Sequence, residues 1–354
     1  MGAFGCVYQP KKAWHFPQGG IAVKAVSLRS AEAASGLALE AELLRRVVQA
    51  AGPHPNVVTL HSTFLVGEHA RLALDLASGD LYHHMLRRRG FLARGDATAL
   101  ARQLAAGVAH LHTAEVAHRD IKMDNALLFS SAGGALTLKI ADLGLGVHSS
   151  QLRPVASLDL PAAQLAALRR ATTHGVSREP YGTPSTMAPE VVTGRWYCPY
   201  TADAWSLGIC LLTIFAPHEH DEYDYDRTPF YPFGEAATRD ADYAAFIDPP
   251  PPPTTPTPPR RGLPPGCGLL PPGCGLPTSA RGMQPSLTAP PGLAPRRQLG
   301  QVARLLARRA SWYGMAPPEP PLHASLMATL DGLLTTSVDE RMPVAEAATT
   351  LQNI

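Results

Sequence analysis

The chain has 354 residues, 45% hydrophobic and 17% charged, with 31 Lys and Arg against 29 Asp and Glu for a net charge of +2. That length supports a large core, and the near balance of charge excludes the strongly basic surface that binds nucleic acid or an anionic membrane. No run approaches the ~18 apolar residues of a membrane helix, no secretory signal opens the chain, and Cys6, Cys198, Cys210, Cys267 and Cys274 form no CxxC pair, so the expectation is a soluble protein of a reducing compartment, cytoplasmic or nuclear.

In chain order, GCVYQ reads as a short strand, followed by a loop carrying Pro17 and Gly19-Gly20 and a second strand, IAVKAVSL. A helix is predicted over Ala31–Ala51, with Leu37, Leu44 and Val48 on one face. PHPN is a breaker cluster, and VVTLHSTFLV and RLALDLA read as strands. Residues 1–76 are therefore expected to form a small, mostly β unit with one helix.

From 77 to 354 helices dominate. ATALARQLAAGVAHLHTA places Leu100, Leu104, Val108 and Leu111 in one amphipathic stripe. ADAWSLGICLLTIF is almost wholly apolar, as a helix at the centre of a larger lobe would be, and SLMATLDGLL and AEAATTLQNI read as closing helices. The stretch at about 248–297 is Pro-rich and repeats LPPGCGL in tandem. Pro lacks an N–H and fixes φ, so this stretch is expected to be a disordered insertion. A metal or redox pair at its two cysteines lacks any accompanying His or acidic cluster. The fold class is α+β.

Phosphoryl transfer asks a protein for positioning and charge neutralisation rather than covalent chemistry. It needs a carboxylate to orient an acceptor hydroxyl, a cation beside the transferred phosphate, and oxygen ligands for Mg²⁺. HRDIKMDN (118–125) supplies Asp120, Lys122 and Asn125, and LTLKIADLGLG adds Asp142 at a Gly-containing turn after a strand.

These segments resemble the catalytic and metal-binding segments of the eukaryotic protein kinase superfamily. Others follow in that family's order. IAVK resembles the strand whose Lys, here Lys24, holds nucleotide phosphates, and LEAELL offers Glu40 as the helix partner of that Lys, with Glu42 as the alternative. GTPSTMAPEVV resembles the substrate-binding loop, DAWSLG the central helix whose Asp203 anchors the catalytic loop, and DERMP the element whose Arg341 pairs with Glu190.

The resemblance implies a two-lobed fold with a β-rich N-lobe over 1–76 and a helical C-lobe over 77–354. It implies ATP and Mg²⁺ as cofactors and protein Ser/Thr hydroxyls as acceptors. By that likeness Asp120 is the catalytic base, Lys122 stabilises the γ-phosphate, Glu40 orients Lys24, and Asn125 and Asp142 hold Mg²⁺. Val7, Ala22 and Leu127 would sandwich adenine, which is also what plain core residues would look like there, and a hinge around Asp75–Ala77 would offer it backbone hydrogen bonds. Lys122 and Thr183 resemble the serine/threonine branch. A pseudokinase scaffold presenting the Pro-rich stretch to SH3- or WW-like partners is the competing reading; a small-molecule kinase fits the GTP…APE segment less well.

Several positions depart from the pattern. Leu143 stands for the commoner Phe of DFG, Met123 for a frequent Pro, and Thr186 for a frequent aromatic residue. The segment from Asp142 to Glu190 is long and includes a helix-like insertion, DLPAAQLAALRRA. Arg119 is placed to pair with an activation-loop phosphate; Thr172, Thr173 and Ser177 are candidate phosphosites, and Glu179 is a candidate stand-in for the phosphate, against the alternative of an exposed loop Glu. His118 is expected to pack under the catalytic loop. His83-His84, His218 and His220 read as surface histidines rather than metal ligands, and the acidic run HEHDEYDYDR as a solvated loop.

The opening MGAFGCVY places Gly2 and Gly5 at the second and third glycines of the kinase loop GxGxxGxV, with Val7 at its Val. The first glycine and its strand would lie before Met1, so an upstream-extended chain is expected to bind ATP more tightly. A lipidation signal fits worse, because Cys6 stands where Ser or Thr is required.

Overall fold

Two β-prone stretches near the start of the chain pair with each other. Strand β1 (Cys6–Tyr8) lies antiparallel to β2 (Ile21–Ser27), and β2 pairs with β4 (His69–Asp75), which forms a hairpin with β3 (Leu60–Val66). The sheet order is β1-β2-β4-β3. Alternation at period two separates the faces of β2: Ile21 and Val23 cluster with Ala73 and Phe64, whereas Val26 joins the main core. The computed structural model describes residues 6–10, 20–88, 92–131, 133–215, 231–232, 234, 236–237, 239–247, 302 and 324–354. Gly2, Gly5, His218, His220, the acidic run and the Pro-rich stretch lie outside the described residues.

Helix α1 (Ala31–Ala51) starts where Ser30 accepts a hydrogen bond from the N–H of Ala33, satisfying one of the orphan donors of the first turn. Leu37, Leu43, Leu44 and Val47 are buried, but Val48 is 51% exposed. The expected stripe is corrected at that position: by the last turn the covered face has rotated toward Leu43 and Val47. Short β5 (Gly79–Asp80) leads into α2 (Leu81–Arg87), capped by the Asp80 carboxylate.

Helix α3 (Arg94–Thr113) buries Leu100, Leu104, Val108 and Leu111, the predicted stripe. Its Gly107 is required by a close approach, since a Cβ there would meet the carbonyl oxygen of Asn56 at 2.5 Å. That contact shows what the PHPN cluster does. Asn56 donates through Nδ2 to the carbonyl of Leu138 at 2.7 Å, and its own carbonyl accepts from Ile140 N at 2.9 Å. The segment is a plug joining the sheet portion to the helical portion, not merely a breaker.

Beyond α3 come β6 (Val116–Ala117), a single 3₁₀ turn at Met123–Asn125, β7 (Ala126–Ser130), β8 (Leu136–Ile140) and β9 (Val147–His148). Helices α4 (Ala162–Ala171), α5 (Pro189–Val192), α6 (Pro199–Phe215), α7 (Ala241–Ile247), α8 (Ala324–Leu333) and α9 (Val344–Gln352) follow. Every residue of α6 from Ala202 to Ile214 is buried, which explains a sequence apolar all round. The described residues belong to one structural unit. Among the described residues no helix is long and apolar enough to cross a membrane.

Candidate active site

The loop between β6 and β7 carries HRDIKMDN, and the buried N-terminal turn of α6 holds it. Asp203, 1% exposed, accepts hydrogen bonds from the backbone N of His118 at 2.7 Å and of Arg119 at 2.8 Å. These contacts oppose the cost of Arg119 at φ 65°, a conformation non-glycine residues rarely adopt. His118 is fully buried beneath the loop: its Nε2 donates to the Ala141 carbonyl at 3.0 Å, and its Nδ1 accepts from Asp120 N at 3.2 Å. The ring thereby ties the Asp120 loop to the strand end that precedes Asp142.

The Asp120 carboxylate is clamped on both oxygens. Thr183 Oγ1 donates to Oδ1 at 2.7 Å, Lys122 Nζ lies 2.9 Å from Oδ2, and Asn125 Nδ2 donates to Oδ2 at 3.1 Å. Lys122 also donates to Thr183 Oγ1 at 2.9 Å. Three side chains from two separate loops thus fix one carboxylate in one orientation.

A second cluster forms where the sheet faces Asp142. Lys24 Nζ contacts Glu40 Oε2 at 2.8 Å and Asp142 Oδ1 at 2.9 Å. Glu42 instead pairs with Arg46 on the exposed side of α1, so the structure brings Glu40 and not Glu42 to Lys24. Burial lowers the Lys24 pKa, but Glu40 and Asp142 outweigh it and the net shift is upward. For Asp142 burial raises the carboxyl pKa and Lys24 more than reverses this, leaving it below the ordinary value. The signs are complementary. Asp142 contributes stability above its unfolded pKa that is lost as pH falls through its folded one; Lys24 contributes below its unfolded pKa and loses it as pH rises through its folded one. The pair is charged across the neutral range.

Val7, 66% exposed, pairs in register with Lys24, and buried Ala22 pairs with Leu74; residues paired in register or two apart share a face, so all of these lie on the Lys24 side of the sheet. Leu127 is half-buried on β7, and Ala77 is half-buried beyond β4. The Asp75 carboxylate points elsewhere, to Lys139 Nζ at 2.7 Å, His61 Nε2 at 2.8 Å and Thr59 N at 3.0 Å. Burial raises the Asp75 pKa, and these partners pull it below the ordinary range. Only its backbone can serve a ligand, and at the hinge the N–H of Leu76 is bonded to Gly20 O at 3.0 Å.

Two oxygens remain for a cation. Among the described residues, Oδ1 of Asn125 and Oδ2 of Asp142 enter no hydrogen bond, since Asn125 engages Asp120 through Nδ2 and Asp142 meets Lys24 through Oδ1. A carboxylate and an amide oxygen suit Mg²⁺, which takes hard oxygen ligands and keeps several waters. At His83 the ring Nδ1 lies 2.9 Å from Asp80, and no cluster of three or more His, Cys, Asp or Glu fit for a metal forms among the described residues.

Arg119 reaches across to the segment after Asp142. It donates to the carbonyl of Gly146 at 3.1 Å, meets Glu179 Oε2 at 3.3 Å, and stacks over the Tyr181 ring at 4.6 Å. Ser177 does not suit its expected role as a phosphosite. It is 6% exposed, donates to Glu179 Oε2 at 3.0 Å, and exchanges backbone hydrogen bonds with Tyr197. Thr186 is also buried, under the Ser206 hydroxyl that donates to its carbonyl at 2.8 Å. Glu190 and Arg341 form a bidentate pair at 2.6 and 3.1 Å.

Three contributors escaped the sequence. Tyr231 accepts through its hydroxyl from Met123 N at 3.1 Å and so supports the HRDIKMDN loop from below. Leu74 pairs in register with Ala22 on the Lys24 side of the sheet, and the Tyr181 ring covers Arg119. None has a local signal; each is an apolar or aromatic residue whose position depends on the fold.

The family model described as "Protein kinase domain" matches residues 1–224. The chain belongs to the protein kinase family. Its sheet portion is the β-rich N-lobe of that family and its helical portion the C-lobe. Among curated relatives, the chain is similar to the putative CBL-interacting protein kinase 27 of Oryza sativa subsp. japonica, 33% identical over 198 residues, or 55% of this chain and 42% of that one. It is 31% identical over 161 residues to the CBL-interacting serine/threonine-protein kinase 7 of Arabidopsis thaliana, covering 46% and 32%. Similarity to serine/threonine-protein kinase SRK2I of Arabidopsis thaliana is 29% over 180 residues, covering 49% and 43%. The chain spans less than half the length of each of these relatives.

Proposed function

We propose that this kinase-family chain transfers the γ-phosphate of ATP to Ser and Thr hydroxyls of protein substrates. The observation that carries the proposal is the Asp120 carboxylate held by Thr183, Lys122 and Asn125 while Lys24 spans Glu40 and Asp142. Asp120 is oriented to accept the proton of an acceptor hydroxyl, and Lys122 beside it supplies positive charge where the transferred phosphate gains negative charge. Lys24, fixed by Glu40, would bind the remaining phosphates. Mg²⁺ held by Asn125 and Asp142 would neutralise β- and γ-phosphate charge. Val7, Ala22 and Leu127 would border adenine. Thr183, hydrogen-bonded to both Asp120 and Lys122, favours aliphatic hydroxyl acceptors, and Thr186 in place of an aromatic side chain would alter the residue preferred after the acceptor.

Transfer of radiolabel from ATP to a Ser/Thr peptide array by the full chain tests this. Label is expected with the natural chain and lost in Asp142→Ala. Transfer that persists in Asp142→Ala removes Asp142 from the mechanism, and no transfer from either protein leaves the scaffold reading.

Glu179 supports activity without loop phosphorylation, through its contacts to Arg119 and Ser177. Its carboxylate is 64% exposed, and exposed pairs contribute little, so Glu179→Ala should lower the turnover of phosphatase-treated enzyme by about two- to fivefold. Unchanged turnover rules the role out.

A further inference from the structure

The long segment between Asp142 and Glu190 inserts α4, and a cavity of about 620 Å³ lies between this helix and the loop after α5. Small-molecule sites span about 300–1,000 Å³. Helix α4 has ten residues, no side-chain cap and no fully buried residue, and isolated helices shorter than about 12–15 residues are marginal in water. It is held by an ion pair between Arg170 and Asp339 at 2.8 Å and by Leu165 and Leu168, which pack beside Trp196 on a small apolar cluster of Val155, Leu158 and Val176.

The lining divides into two chemistries. Leu160, Leu168 and Trp196 form an apolar wall. Arg178 and Arg195 add two exposed cations, and neither forms an ion pair among the described residues. The carboxylate of the lining, Glu190, is already neutralised by Arg341. Arg178 donates through Nε to the carbonyl of Gly194 at 3.3 Å and meets no carboxylate. A concave site with an apolar wall and two guanidinium groups that no carboxylate neutralises among the described residues complements an amphipathic anion, because the planar fork of Arg pairs with carboxylate or sulfonate oxygens in two parallel hydrogen bonds.

We propose that this cavity is a second ligand site, separate from the nucleotide cleft. It takes a small amphipathic anion, with an aryl or alkyl body against Trp196, Leu160 and Leu168 and one carboxylate or sulfonate on Arg178 and Arg195. A bound anion would bridge α4 to the loop after α5 and steady the segment that ends at Glu190.

The probe is 8-anilinonaphthalene-1-sulfonate, titrated into the full chain and followed by fluorescence, with N-phenyl-1-naphthylamine as the same body without the charge. One saturable site is expected, untouched by saturating ATP, with the neutral analogue bound about tenfold more weakly. Arg178→Glu with Arg195→Glu, and separately Leu168→Trp to fill the cavity, should each weaken the probe by about tenfold or more. Arg178→Gln with Arg195→Gln serves if charge reversal prevents folding. Equal binding of the two probes, displacement by ATP, or unchanged affinity in the variants overturns the proposal. So does displacement by an acidic peptide but not by aryl or alkyl carboxylates, which would make the cavity a protein-docking site. Because binding is read directly, failure here is distinct from failure of phosphate transfer.

Discussion

Asp120→Asn should reduce the single-turnover rate of phosphate transfer by about 10²–10⁴-fold, the usual contribution of a general base. The substitution keeps size and shape but replaces an acceptor oxygen with an amide. Thr183 can still donate to Oδ1, whereas Lys122 and Asn125, both donors to Oδ2 in the natural chain, would meet an N–H₂ group or force the amide to flip. ATP affinity should change little, because Lys24, Glu40 and Asp142 belong to a separate cluster. Nucleotide titration and rapid-quench kinetics on the same preparation separate the two quantities. A rate within tenfold of the natural chain would remove Asp120 from the chemical step.

Arg341→Ala should be the most destabilising single change in the described part of the C-lobe. Arg341 is wholly buried, pairs bidentately with Glu190, donates to the carbonyls of Thr201 at 2.9 Å and Thr335 at 3.0 Å, and lies over the Trp205 ring at 5.2 Å. Removing one partner of a buried pair strands the other charge and costs about 3–5 kcal/mol. For a chain of this size that lowers the thermal midpoint by roughly 10 °C. Arg341→Met combined with Glu190→Gln removes both charges and should recover part of the loss, since the penalty comes from the unpaired carboxylate. A double variant as unstable as Arg341→Ala would show that packing, not charge, is the larger contribution. Differential scanning calorimetry of the three proteins decides between them.

Much of this site was legible because its chemistry is concentrated locally. Asp120, Lys122 and Asn125 fall within one eight-residue loop, and the stripe of Leu100, Leu104, Val108 and Leu111 declares α3 through its own periodicity. The apolar α6 declared itself as a buried helix by composition alone. Where the expected pattern met an element end, it was less accurate: Val48 has the right spacing for the buried face of α1, yet in that turn Val47 is buried and Val48 is exposed. Ser177 has the sequence of an accessible loop serine, and burial against Tyr197 makes it a structural hydroxyl instead.

The chain by itself determined which residues were available for phosphate chemistry and in what order, because motif spacing and helical or strand periodicity are properties of neighbouring residues. The tertiary structure alone decided which of them meet. Lys24 reaches Asp142 across 118 positions, Glu190 meets Arg341 across 151, and Asp203 holds the HRDIKMDN loop from 85 residues away. It also decided that PHPN is a plug against Gly107, that Tyr231 supports Met123, and that α4 lines a cavity with Arg178 and Arg195. Such contacts depend on how whole elements pack, and no local periodicity encodes them.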